Sequence, residues 1–97
     1  MVEQGDIIMA ENVKFPCVVV SNNFYNKCNR AVVCPIVSED ESNMSFKISI
    51  NGKNNYVRCD DVRRMDLSTR FYSVKGRLSV VELLNVLDYV NSLFDFC

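Results

Sequence analysis

Ninety-seven residues, 48% hydrophobic and 24% charged, suffice for one hydrophobic core and are too apolar for a disordered chain. A formal net charge of −1 argues against a general nucleic-acid binder, and the absence of histidine removes Ser-His-Asp and Cys-His catalysis, the usual zinc enzyme sites and paired-histidine RNA cleavage. Proton transfer is left to carboxylates, lysine, tyrosine or cysteine, with arginine as charge stabiliser.

The chain opens with "MVEQGDIIMAENVK", which has no basic start and no long apolar run, so no secretory leader is expected. No stretch approaches the roughly 18 apolar residues of a membrane span. "GDIIMA" (Gly5–Ala10) reads as a short first strand. "PCVVVS" (Pro16–Ser21) and "AVVCPIV" (Ala31–Val37) are unbroken valine-rich runs, as expected for strands covered on both faces. Pro35 inside the third run implies a bulge, an edge or a strand end. The polar connection "SNNFYNKCNR" between them has room for a helical turn, and "SEDESNM" (Ser38–Met44) reads as an acidic loop.

"SFKISI" (Ser45–Ile50) alternates, with Phe46, Ile48 and Ile50 on one face and Lys47 and Ser49 on the other. Asn-Gly follows in "NGKN", a strong hairpin signal, and "NYVRC" is the return strand. "DLSTR" (Asp66–Arg70) suggests one short helical turn. Ser79-Val80-Val81-Glu82 forms a capping box that starts a C-terminal helix. Leu83, Leu84, Val86, Leu87, Val90 and Phe94 recur at helical spacing, while Glu82, Asn85, Asp88 and Asn91 take the polar side. The expected fold is α+β, one domain over residues 1–97. An antiparallel, twisted sheet of five or six strands, partly closed like a barrel, carries the terminal helix.

Charge is unevenly spread. Residues 51–80 hold seven basic and three acidic side chains, a net +4 between acidic ends, which suits a local anionic ligand. The five cysteines, Cys17, Cys28, Cys34, Cys59 and Cys97, form no CxxC pair and read as reduced thiols of a cytoplasmic protein.

The densest charge lies in "NNYVRCDDVRR" (Asn54–Arg64). Residues two apart on a strand share a face and lie roughly 6.5–7 Å apart. Tyr56, Arg58 and Asp60 then point one way, and Val57, Cys59 and Asp61 the other. A guanidinium and a carboxylate side by side can bracket a phosphodiester. The carboxylate takes the proton of a ribose 2′-hydroxyl, and paired N–H donors stabilise the pentacoordinate phosphorus. The product is a 2′,3′-cyclic phosphate, and no metal or other cofactor is required. Arg58 is a poor proton donor in the ordinary sense, so its first role is charge stabilisation; the leaving 5′-oxygen takes its proton from Arg58 only if the transfer is tightly coupled to bond cleavage, with water or Tyr56 as the substitute. The plainer reading of the same residues is a surface ion pair worth about 0–1 kcal/mol.

The ordered set "GDI", "PCVVVSNNFYN", "VVCPIVS", "VRCDDVRRMD" and "LLNVLDYV" resembles the MazF/PemK family of toxin endoribonucleases over nearly the whole chain. "VRCDDVRRMD" is most similar to the Kid/PemK branch. The resemblance implies a MazF/CcdB-like fold, a homodimer, and sequence-specific cutting of single-stranded RNA such as mRNA. It also implies a cognate antitoxin whose tail folds on binding. By this resemblance Arg58 and Asp60 are the catalytic pair, and Ser38 and Arg63 position phosphate. Lys14, Phe15 and Tyr56 are RNA-contact candidates, with Phe15, Tyr25 or Tyr56 available for base stacking. Arg64 has no match in the family pattern and reads as solvated.

Two departures stand out. Phe15 occupies the position where many members carry an arginine, and Lys14 beside it would face the opposite way on a strand. The loop between the first two strands is reduced to "ENVK". A weakened or inactive binding protein of the same fold, gyrase-inhibiting or RNA-binding, is therefore the alternative. Against the gyrase version, the chain ends in "FDFC" but has no tryptophan.

Overall fold

The computed structural model describes residues 1–39 and 44–94. The expected acidic loop falls mostly outside them, as do Cys97 and most of the "FDFC" tip. The described residues form seven strands and two helices. The strands are β1 (Asp6–Ala10), β2 (Cys17–Val19), β3 (Arg30–Val37), β4 (Ser45–Ile50), β5 (Lys53–Arg58), β6 (Arg63–Asp66) and β7 (Tyr72–Arg77). Helix α1 (Asn23–Asn26) fills the polar connection, and α2 (Val80–Ser92) ends the fold.

The sheet runs β4-β5-β3-β2-β1-β7, with β6 also paired to β3. Every pairing is antiparallel. The curled antiparallel sheet with its terminal helix is the expected α+β fold. Strands β6 and β7 go beyond the elements the pattern had marked. Residues of β7 are all half-buried or exposed, so no apolar alternation announces it. In β6 only Met65 is buried.

β3 is the hub. Its valine-rich run is buried on both faces because two apolar clusters sandwich it. Cys34 and Ile36 join Val18, Val20, Val57 and Cys59 under α2. Ala31 and Val33 join Ile8, Cys17, Val19 and Met65 on the opposite face. Along one edge β3 pairs first with β6, from Arg30 to Val33, and then with β5 at Ile36 and Val37. Pro35 sits in the gap between these partners. The Ile36 N–H donates to Pro16 C=O on the β2 side, at 2.8 Å. The missing Pro35 donor therefore faces the other edge, where no ladder needs it.

The β4–β5 hairpin closes through Asn51 (φ 51°) and Gly52 (φ 80°), both left-handed as a two-residue primed turn requires. The return strand starts at Lys53, two residues earlier than expected, and ends at Arg58. The expected helical turn at Asp66–Arg70 is absent. Asp66 continues the β6 ladder opposite Arg30, and its carboxylate captures the Ser68 N–H (2.9 Å) and hydroxyl (2.6 Å), making a bend. Those bonds hold the Asp66 carboxyl below its ordinary pKa.

Helix α2 begins with the expected capping box. The Glu82 N–H donates to Ser79 Oγ, and Glu82 Oε1 accepts from the Ser79 N–H. Val86 and Val90 are buried, and Leu83 and Leu87 flank them against the sheet. Two members of the expected stripe do not join. Leu84 lies about 100° round the helix from Leu83 and is exposed, and Phe94 is exposed beyond the last turn. Leu83 instead rests against Gly5, whose φ of 94° and lack of a side chain leave room for it.

Candidate functional site

Where β5 ends and β6 begins, the two strands leave a cleft of about 700 Å³ above β3. Cys17, Val33, Pro35 and Val37 form its apolar floor. Asn12 to Phe15, from the short loop after β1, form one wall. Arg58, Asp61, Arg63 and Arg64 form the other, and Ser38 and Arg70 line it as well. Five cations face this space against two carboxylates, Glu39 and Asp61. Lys14, Arg64 and Arg70 have no hydrogen bond or close ion pair with the described residues, though Arg70 lies near enough to Asp66 to help lower its pKa. Such a cavity attracts anions.

The charged segment is built by a strand that turns. Val57 and Cys59 are buried beneath α2, so Arg58 between them must face away from that core. The strand ends there, and the Asp61 N–H donates to Arg58 C=O at 3.1 Å. The turn brings Asp60 back to Arg58, whose Nε donates to Asp60 Oδ1 at 3.3 Å. Both side chains remain open to solvent, 24% and 32% exposed. Arg58 lines the cleft; Asp60 is not among the residues that line it and adjoins it through its contact with Arg58.

Asp61 departs from the expected alternation. It does not turn toward the core with Val57 and Cys59, because the strand has ended and the turn swings it onto the cleft wall. There it accepts two hydrogen bonds from Arg63, from Nε at 2.8 Å and Nη2 at 2.9 Å. The pairing raises the Arg63 pKa further above its ordinary value.

The other sequence candidates divide. Ser38 and Arg63 line the cleft, as do both Lys14 and Phe15. The alternation that would have separated Lys14 from Phe15 does not apply, because residues 11–15 form a turn rather than a strand, with Asn12 at φ 64°. Phe15 is 46% exposed. Tyr56 is not among the residues that line the cleft; it pairs across to Lys47 and to Val37, which does line it, two residues before Arg58 on β5. Arg64, expected to be solvated, is exposed but lies on the cleft wall. Arg70 had no sequence signal, since the bend after β6 was read as a helical turn.

The thiols under the cleft are held neutral. Burial pushes the Cys34 thiol up to about 12 and Cys59 up to about 11, and raises Cys17 as well. Cys17, Cys28, Cys34 and Cys59 are all free. Among the described residues no three His, Cys, Asp or Glu side chains gather as metal ligands would, and no helix is long and apolar enough to cross a membrane.

Residues 3–94 match the family described as PemK-like, MazF-like toxin of type II toxin-antitoxin system. No curated protein matches the sequence. Among solved structures, the fold is similar to a MazE-MazF structure from Deinococcus radiodurans, at TM-score 0.85 and 19% identity over 99% of this chain and 97% of that one. An endoribonuclease from a mycobacterial species gives TM-score 0.81 and 12% identity over 96% and 90% of the two chains. The Mycobacterium tuberculosis toxin MazF-mt6 gives 0.75 and 15% over 95% and 98%. At these identities the likeness to solved structures is one of fold.

Proposed function

Because the chain belongs to the PemK-like, MazF-like toxin family of type II toxin-antitoxin systems, we propose that it is the toxin of such a pair and cuts single-stranded RNA without a metal. The observation that carries this reading is the Arg58–Asp60 contact at 3.3 Å, beside a cleft faced by five cations. Asp60 takes the proton of a ribose 2′-hydroxyl. The 2′-oxygen then attacks the adjacent phosphorus, and the bond to the 5′-oxygen breaks. Arg58 donates N–H groups to the phosphoryl oxygens as charge builds on them. Water or the Tyr56 hydroxyl supplies the proton to the departing 5′-oxygen. The ends left are a 2′,3′-cyclic phosphate and a 5′-hydroxyl.

Ser38 offers a hydroxyl to a phosphate oxygen, and Phe15 offers an exposed ring on which a base can stack. The protein acts as a homodimer on mRNA, and a cognate antitoxin closes the cleft with a segment that orders on binding. The cations of the cleft favour an acidic segment for that task.

One observation favours a second reading, a binding protein of this fold that does not cut. Phe15 stands on the cleft where the family pattern has an arginine. Purified protein incubated with a long RNA in EDTA separates the two. Discrete cuts ending in cyclic phosphate are expected. Intact RNA that is nonetheless bound would replace the enzyme with the binder.

A further inference from the structure

One ion pair on the cleft wall is at odds with its surroundings. A cleft serving only phosphate gains nothing from Asp61, whose carboxylate repels phosphate and occupies an edge of the Arg63 guanidinium. The geometry suits a different task. A guanidinium carries five N–H donors in one plane. The side-on pair with Asp61 consumes the Nε–H and one Nη2–H. The other Nη2–H and both Nη1–H make no hydrogen bond to the described residues. They form a second fork, held in a fixed plane by the carboxylate behind it.

The anchoring is firm on the inner side and open on the outer. Arg63 pairs with Val33 in the β3–β6 ladder. Asp61 is 31% exposed and Arg63 69%. The carboxylate also offsets the guanidinium charge, so this fork is drawn less to a bare phosphate and more to a matching pattern of neutral acceptors. A planar pair of donors matches a base edge with two adjacent acceptors. Guanine offers O6 and N7. In an unpaired strand cytosine offers O2 and N3. Adenine and uracil put a donor beside each acceptor on their hydrogen-bonding edges, and so mismatch the fork.

We infer that Arg63, held from behind by Asp61, reads a guanine or cytosine in the RNA and sets one position of the recognised sequence. This rests on the proposed RNA reading and adds a specificity element to the same cleft. Asp61 is a positioning residue that acts through Arg63.

The test maps cut sites on a long RNA for wild type, Arg63→Gln and Asp61→Asn. Wild-type sites should share a guanine or cytosine at one position. In a short RNA bearing that site, 7-deazaguanosine or 3-deazacytidine at that position should lower kcat/KM about tenfold to a hundredfold. Arg63→Gln should be indifferent to the replacement. Asp61→Asn should lose discrimination while binding RNA at least as tightly, because a cleft anion has gone, a combination that misfolding would not give. A shared sequence with no guanine or cytosine, or deaza substrates cut as fast as the parent, would overturn the inference. So would Arg63→Gln weakening all sites evenly with a smaller salt dependence, which marks a phosphate contact. If no RNA is cut, the nuclease reading fails by itself. Fluorescence anisotropy with the parent and deaza oligonucleotides then decides base reading: equal affinities overturn it, and a tenfold preference for the parent supports it.

Discussion

Asp60→Asn is the sharpest perturbation, because it separates chemistry from folding. In the folded chain Asp60 accepts from Arg58 Nε at 3.3 Å, with both side chains partly open to water. Two unit charges at that separation attract by about 1 kcal/mol in water, and side-chain ordering and salt leave about 0–1 kcal/mol. A domain of this size loses about 4–8 °C of Tm per kcal/mol, so loss of this contact should lower the Tm by no more than about 8 °C. Removing a general base costs about 10²–10⁴ in rate. Arg58→Ala removes the charge stabiliser and should cost about 10²–10³. Arg58→Lys keeps the charge but loses the planar fork, and should recover only part of the rate. Because the two groups act as a unit, the double variant should be little worse than the poorer single one. The assay is cleavage of a fluorogenic single-stranded RNA in EDTA, with circular-dichroism melts on the same samples. If either single variant cuts within about threefold of wild type, the assignment is refuted. If activity is lost only in proportion to unfolded protein, the pair is a fold element and not a catalytic one.

Arg64→Gln and Arg70→Gln should each weaken RNA binding evenly across sequences and reduce the slope of log affinity against log salt by about 0.7; an unchanged slope would remove that side chain from the RNA path. Brief alkylation at pH 8 followed by mass spectrometry should label exposed Cys28 and spare Cys17, Cys34 and Cys59, whose burial favours the neutral thiol. With folded pKa values of about 12 and about 11 for Cys34 and Cys59, unfolded thiols ionise first, so stability should fall as pH rises from about 9 toward those values, and Cys34→Ala should flatten that decline in urea titrations. Val86→Ala, at a position with no exposure, should cost about 2–3 kcal/mol from two lost methyl groups and the cavity they leave. Val81→Ala, 69% exposed on the same helix, should stay within about 0.5 kcal/mol in the same denaturation assay.

How much of this was legible in the residues depended on the kind of signal. The capping box at Ser79, the Asn51-Gly52 turn and the valine runs of β2 and β3 each rest on local chemistry, and each appears where expected. Strands β6 and β7 gave no such pattern. β7 is an edge strand with no buried residue, and β6 is carried by its ladder to β3. At the site, Arg58 and its buried neighbours followed the two-residue period until the strand ended. Asp61 broke it because a turn has no such period. Arg64 and Arg70 come to the cleft through the β6 pairing and the bend after it, and nothing in the sequence near them announces either. The phase of α2 was read one residue too broadly, taking Leu84 into a stripe that Val86 and Val90 define.

The concentration of charge between Asn54 and Arg64 follows from how β3 is shared. One edge of β3 serves two partners, β6 up to Val33 and β5 from Ile36, and Pro35 marks the gap. The chain must cross that gap between the end of β5 and the start of β6, at residues 59–62, where the ladder is interrupted. On the α2 side Val57 and Cys59 fill the core, so every polar side chain of the crossing is driven to the other side. Polar groups there cannot be paired along a strand. They pair with each other, as Arg58 with Asp60 and Arg63 with Asp61, or face the cleft. The same interruption that opens the cleft thus fixes two guanidinium–carboxylate pairs beside it, Arg58 with Asp60 and Arg63 with Asp61. An insertion at residue 60 would shift these pairs relative to each other while leaving both ladders intact. It should abolish cutting with little loss of stability, and a melt far below wild type would show that the crossing itself holds the sheet together.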